Sequence, residues 1–211
     1  MRGGARPKPD ASIERDGPRA WPDALVAGVD EVGRGPLAGP VTAAAVVLDP
    51  VDVPGGLDDS KRLSAPQRTR LAEEIAARAL AFSIVSIPAP AIDRTNIRLC
   101  ALEAMRRAVQ GLAVAPERVL VDGRDGLKGL DAPCEAIVGG DGRSVSIAAA
   151  SILAKVARDR MMARAAERWP LHGFERHCGY GTKAHRDALA AKGPCALHRR
   201  SFGSLRADRQ R

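Results

Sequence analysis

The sequence predicts an α/β protein: a mixed five-stranded sheet flanked by helices, with a C-terminal helical extension. Three observations carry that expectation. Five short runs of Val, Ile, Leu and Ala are bounded by Gly, Pro or Asp, the pattern of buried strands. Three longer segments repeat apolar residues at helical spacing or are rich in Ala. The order β-β-α-β-α-β-β-α then implies a mixed sheet with helices packed on it.

The elements follow in order. Residues 1–22 are rich in Gly, Pro and Arg and are expected to be a disordered tail. Residues 25–31 and 40–48 form two buried strands, joined as an antiparallel hairpin by the Gly-rich connection Val32 to Gly39. Ser64 starts a helix over 65–78, with Leu71, Ile75 and Ala79 at helical spacing. Residues 80–87 form a third strand, stopped by Pro88 and Pro90. A helix from about Ile92 to Leu112 sets Leu99, Leu102, Met105 and Val109 on one face. Val119–Val121 is an apolar strand ending at Asp122, and Ala136–Val138 another, ending in Gly139-Gly140-Asp141. An Ala-rich helix spans about Ser146 to Ala166, followed past Trp169 by a His-, Gly- and Arg-bearing loop and a short helix near 183–192. The expected division is a body over 23–168, a basic extension over 169–205 and a tail over 206–211.

Composition narrows the function. The 211 residues are 45% hydrophobic and 27% charged, which excludes a chain disordered throughout. Aromatics are only 3%, so the core must be built from Ala, Val, Leu and Ile. The net charge of +8 points to a polyanionic partner. That charge is unevenly placed: residues 176–211 carry nine basic and two acidic side chains, whereas 23–175 carry 19 basic and 20 acidic. Cys100, Cys134, Cys178 and Cys195 form no C-x-x-C pair and suit reduced thiols, so a cytoplasmic location is expected. No apolar stretch approaches the ~18 residues of a membrane span.

Acidic residues stand out by position. Asp30 and Glu31 end one apolar strand, Asp122 ends another, and Asp141 follows a third. One Asp at a strand end starts a turn or caps a helix; four at neighbouring strand ends suit a divalent cation that prefers hard oxygen ligands. Adjacent strand residues face opposite sides, so Asp30 and Glu31 share one site only with a distortion, which Gly28 and Gly33 allow as a bulge. Gly33-Arg34-Gly35 gives a loop that a phosphate or hydroxyl can approach closely, or an ordinary hairpin turn. The basic residues of Asp59-Ser60-Lys61-Arg62 either meet phosphates or solvate a helix start. Tyr180, the one tyrosine, sits between two glycines in a basic loop, a setting for stacking more than for core packing.

Together these residues resemble a known signature. Val29-Asp30-Glu31-Val32-Gly33-Arg34-Gly35-Pro36-Leu37-Ala38-Gly39-Pro40-Val41 is similar to the first motif of the type 2 ribonuclease H family, in particular bacterial ribonuclease HII. Matches continue in family order: 59–64 (DSKRLS), Ile92-Asp93 with Asn96-Ile97, Val121-Asp122-Gly123, Gly140-Asp141, 149–156 (AASILAKV), Gly179-Tyr180-Gly181-Thr182 and His198-Arg199-Arg200-Ser201-Phe202. The resemblance covers about residues 25–203. It implies a ribonuclease H-like catalytic domain and two-metal-ion hydrolysis of the RNA strand of RNA–DNA hybrids. It also implies cleavage 5′ of single ribonucleotides in duplex DNA, leaving 3′-hydroxyl and 5′-phosphate ends. Asp30, Glu31, Asp122 and Asp141 would hold Mg²⁺ or Mn²⁺. Gly33, Arg34 and Gly35 would contact the 2′-hydroxyl, Tyr180 would stack on the adjoining sugar, and Lys61, Ser151 and Lys155 would hold phosphates. A monomer is expected, and recruitment by a sliding clamp is left open. Gly139 and Gly181 depart from the Lys and Pro that the family often has there.

Three rival readings remain. A non-catalytic nucleic-acid binder explains the basic tail but not the acidic strand ends. A zinc site could use His172, His177, His185 and His198 with Cys178 and Cys195, since Cys195-x-x-His198 has usable spacing. Ser151 and Lys155, four apart on one helix face, could form a nucleophilic pair.

Overall fold

The five strands pair in the order β3-β2-β1-β4-β5 in a computed structural model that describes residues 8–203 and 205. They are β1 Val26–Val32, β2 Val41–Val47, β3 Ala81–Ile87, β4 Arg118–Asp122 and β5 Cys134–Ile137. The first three are antiparallel neighbours, while β1–β4 and β4–β5 are parallel. β1 thus sits at the centre, and the C-terminal ends of β1, β4 and β5 share one rim. That is where open α/β sheets place their ligands.

Helices cover both faces. The 24-residue helix α5, Val145–Arg168, packs with α2, Ala65–Arg78, on the face bearing Ala44, Val46 and Leu120. α4, Ile97–Gln110, covers the opposite face, with Ala27, Val29 and Val121 beneath it. The aromatic-poor core expected from composition works through close approach. A methyl group at Gly28 would meet the Ser146 carbonyl carbon at 2.0 Å, so a glycine lets the N-terminus of α5 lie directly on β1.

Three expectations are corrected. Part of residues 8–22, placed in a disordered tail, is folded against the body; the rest of that tail, residues 1–7, lies outside the described residues. A short helix α1, Ser12–Arg15, buries Glu14, whose Oε1 accepts from Ser144 Oγ (2.6 Å) and Ser146 N (2.9 Å), and Trp21 joins the core. The open N–H groups at the N-terminus of α5 attract this carboxylate, which composition alone does not reveal. The single helix expected from Ile92 is two: α3, Ala89–Arg94, and α4. Asn96 separates them by capping α4, its Oδ1 accepting from Leu99 N at 2.9 Å. Of the expected face, Met105 and Val109 are buried and Leu102 packs beside them, whereas Leu99 is 51% exposed and Ala101, Ala104 and Ala108 widen the buried stripe.

The chain past α5 folds back over the same rim through a 3-10 turn at Pro170–His172, the short α6, Phe174–His177, and α7, Lys183–Lys192.

Candidate active site

Asp30 and Glu31 lie in a strand whose register with β2 is unbroken from Ala27 to Val32, so the bulge is not needed. Asp30 stands opposite Ala44, on the α5 face, and Glu31 opposite Ala43, on the α4 face. Both nevertheless line one cavity of about 470 Å³, because it opens over the strand ends and is reached from both faces. Asp122 ends β4 and lines it too. Gly140 N donates to Asp122 Oδ1 at 2.7 Å, fixing the carboxylate. Asp141, in a 3-10 turn after β5, is buried and meets Lys61 Nζ at 3.3 Å.

The electrostatics are those of crowded anions. Burial, then the charges of Glu31 and Asp122, raise the Asp30 carboxyl well above its usual range. Burial also raises Glu31, against the opposing Arg34, whose guanidinium is 3.3 Å away. Asp122 is raised by burial and by Asp141. Lys61 is partly desolvated, yet Asp141 and Asp59 hold its ammonium charged above the ordinary lysine range. Arg34 and Lys61 are thus the cations beside this cluster, partial counterions to Glu31 and Asp141.

The loop from Gly33 to Pro40 is held from below by two buried guanidiniums that bond to backbone carbonyls. Arg158, on α5, donates to the carbonyls of Pro40 (2.9 Å), Ala38 (3.1 Å) and Cys178 (3.0 Å). Arg199 donates to those of Gly39 (3.0 Å), Arg34 (2.9 Å) and Gly33 (2.5 Å). Burial lowers the pKa of both, Arg199 to about 9, with Arg158 adding repulsion. Gly33 adopts φ 93°, and a methyl group there would strike Arg158 Nε at 2.3 Å. Around Gly35, by contrast, a methyl group would meet nothing within 4 Å, so the loop tip is open to a ligand.

Tyr180 is 39% exposed, lines the same cavity, and has Arg158 at 5.7 Å and Lys155 at 6.0 Å from its ring centroid. With Gly181 in place of the usual Pro, the loop is pinned instead by Tyr180 N to the His177 carbonyl (2.8 Å), His185 Nδ1 to the Tyr180 carbonyl (3.0 Å), and Arg186 to the Gly181 carbonyl. Gly139 adopts φ 64°, a left-handed turn that a lysine would resist. Ser151 bonds Ser60 Oγ (2.9 Å) and the Asp30 carboxylate, while Lys155 Nζ is taken up by Asp159 at 2.8 Å. The Ser151–Lys155 pair therefore has no shared proton, and its nucleophilic reading fails.

Asp30, Glu31, Gly33, Arg34, Gly35, Lys61, Asp122, Ser151, Lys155 and Tyr180 line this cavity, and Asp141 joins them through Lys61, whereas the histidines of the zinc reading gather elsewhere. Sequence reasoning missed Arg158, and it quoted Ser60, Asp93 and Arg199 within motifs without giving them a role. Arg158 follows Ser151 and Lys155 on one helix face, a spacing that carries the signal. Asp93 accepts from Arg200 N and Ser201 N, both at 2.9 Å, and ties the extension to α3.

The sequence profile of the family described as Ribonuclease HII matches residues 27–205. The chain belongs to the ribonuclease HII family. It is 58% identical over 202 residues to "Ribonuclease HII" of Sinorhizobium medicae, covering 95% of this chain and 92% of that one. Among solved structures it is similar to the ribonuclease H2 of Pyrococcus horikoshii, with a TM-score of 0.74 and 25% identity over 88% of this chain and 97% of that one. It is also similar to the PCNA:RNase HII complex of Archaeoglobus fulgidus, with a TM-score of 0.65 and 26% identity over 85% and 95%. The five-stranded sheet is that of the ribonuclease H fold, and the protein is a metal-dependent endoribonuclease acting on RNA–DNA hybrids. Among the described residues, no helix is long and apolar enough to cross a membrane.

Proposed function

We propose that this ribonuclease cuts the RNA strand of hybrids and also cleaves 5′ of single ribonucleotides embedded in duplex DNA, leaving 3′-hydroxyl and 5′-phosphate ends. The observation that carries the reading is the convergence of Asp30, Glu31 and Asp122 in one cavity, where burial and mutual repulsion disfavour their charged forms. Such a donor set of hard oxygens suits divalent cations, Mg²⁺ or Mn²⁺. Two such ions, when bound, would stabilise the attacking and leaving oxygens of an in-line phosphodiester displacement.

The chain's own residues do the rest. Asp30, Glu31, Asp122 and Asp141 would hold the ions, Asp141 releasing Lys61 to a substrate phosphate. The open loop at Gly33-Arg34-Gly35, made rigid by Arg158 and Arg199, would meet the ribonucleotide's 2′-hydroxyl, the group that separates RNA from DNA. Tyr180 would stack on the adjoining sugar. Ser151 orients Asp30, and Lys155 adds positive charge at the cavity edge. The basic extension, residues 169–205, would grip the duplex of a chain acting as a monomer. The PCNA complex of the archaeal relative supports a sliding clamp as a further partner.

The test is cleavage of an end-labelled DNA duplex carrying one ribonucleotide. The expected product is a single cut 5′ of the ribonucleotide in Mg²⁺ or Mn²⁺ and none in EDTA. Equal cutting of an all-DNA duplex would remove the 2′-hydroxyl assignment.

A further inference from the structure

All four histidines of the chain gather around Phe174 in the extension, away from the carboxylates. Their hydrogen bonds settle which ring nitrogens carry protons. The Tyr180 carbonyl can only accept, so His185 Nδ1 is the N–H, and its Nε2 accepts from His198 Nε2 at 3.0 Å. His198 Nδ1 is therefore unprotonated, and its lone pair accepts from Cys195 N at 2.9 Å, a bond that an ion there would replace. The Gly193 carbonyl likewise fixes His172 Nε2 as a donor at 3.1 Å, leaving Nδ1 bare. His172 is 8% exposed, and that Nδ1 is buried without a hydrogen-bond partner. A buried polar atom left in this state is rare enough to need a reason.

The reason lies beside it. One donor atom each from His172, Cys195 and His198 lies within 4.8 Å of the others. Bonds of about 2.0–2.1 Å to imidazole and 2.3 Å to thiolate put tetrahedral zinc donors roughly 3.5 Å apart, so small side-chain rotations close the site. Imidazoles whose second nitrogen donates to a carbonyl or a neighbouring ring are held as zinc-ligating imidazoles are. The geometry points to a zinc-binding site formed by His172, Cys195 and His198, with a fourth position for water, which ties the turn after α5 to the loop after α7. Because His198 bonds His185, and His185 holds the Tyr180 carbonyl, the bound ion would stiffen the loop that presents Tyr180. This site is separate from the carboxylate rim and does not depend on the assignment of the substrate.

The full chain, stripped with chelator, would be titrated with Co²⁺ as a spectroscopic probe and then with Zn²⁺ by calorimetry. The expected result is one tetrahedral cobalt per chain, with intense visible bands and a thiolate charge-transfer band displaced by zinc, beside whatever cobalt the carboxylate rim takes up. Cys195→Ser should abolish the thiolate band and weaken zinc binding by more than about 100-fold, beyond what loss of an outer-sphere partner costs. His172→Asn should weaken it likewise, whereas Cys134→Ser on β5 and Asp122→Asn should leave it intact. A wild-type spectrum without a thiolate band overturns the site, even if a variant fails to fold. So does cobalt binding that disappears in Asp122→Asn but persists in Cys195→Ser, since the ion would then sit only on the carboxylates.

Discussion

The carboxylate rim and the C-terminal extension face each other across one loop and are stressed in opposite senses. At the rim, buried acids repel one another and are pushed toward protonation. In the extension and its support, buried bases lie close together and are pushed toward losing their protons: His198 to about 4 and Arg199 to about 9. Desolvation is the leading cause in both regions. The difference teaches what each awaits. The acids are relieved by a cation, whereas the guanidiniums are satisfied by the carbonyls of the loop they hold and leave a net positive field for a polyanion.

The largest expected effect is on chemistry. Asp30→Asn should lower cleavage of a hybrid more than about 100-fold, since losing a ligand exceeds the loss of an outer-sphere partner; steady-state rates at saturating Mg²⁺ check this. Arg199→Met should come next. It strands three loop carbonyls and should destabilise the fold by about 2–4 kcal/mol in denaturant melts. Arg199→Lys, which keeps charge but not the planar fork, should retain more stability than Arg199→Met while losing preference for a ribonucleotide over all-DNA duplex in binding assays.

Acid should separate the two regions. His198 has a folded pKa below its unfolded value of about 6.5, so its contribution is complete above that pH and is lost as pH falls toward 4. The rim acids, raised in the fold, contribute the opposite sign as they take up protons below neutrality. Melting of metal-free protein between pH 7 and 4 should therefore show the extension loosening first by hydrogen exchange, with β1 and β4 still protected. A smaller effect, about 1–3 kcal/mol, is expected for Glu14→Ala, which removes the carboxylate bonded to Ser144 and Ser146; a thermal melt measures it.

Local pattern foretold the strands and helices because alternation and spacing are read within a few residues, as at Ala65–Arg78, whose observed bounds match the expectation. The acidic rim was visible for the same reason: each carboxylate lies at or just beyond the end of an apolar run. What escaped depends on contacts distant in sequence. Glu14 meets Ser146 across 132 positions, and Arg199 meets Gly33 across 166. The histidines could be seen as a group, but not that His172 would be left with a bare nitrogen.

The rim carboxylates are held together at a stability cost that a cation removes. The direct measurement is the melting temperature of wild type and Asp122→Asn, each in EDTA and in saturating Mn²⁺. The account predicts that Asp122→Asn melts higher than wild type in EDTA, and that Mn²⁺ raises wild type but not the variant. A variant that melts lower in EDTA, or that keeps the full rise with Mn²⁺, would contradict it.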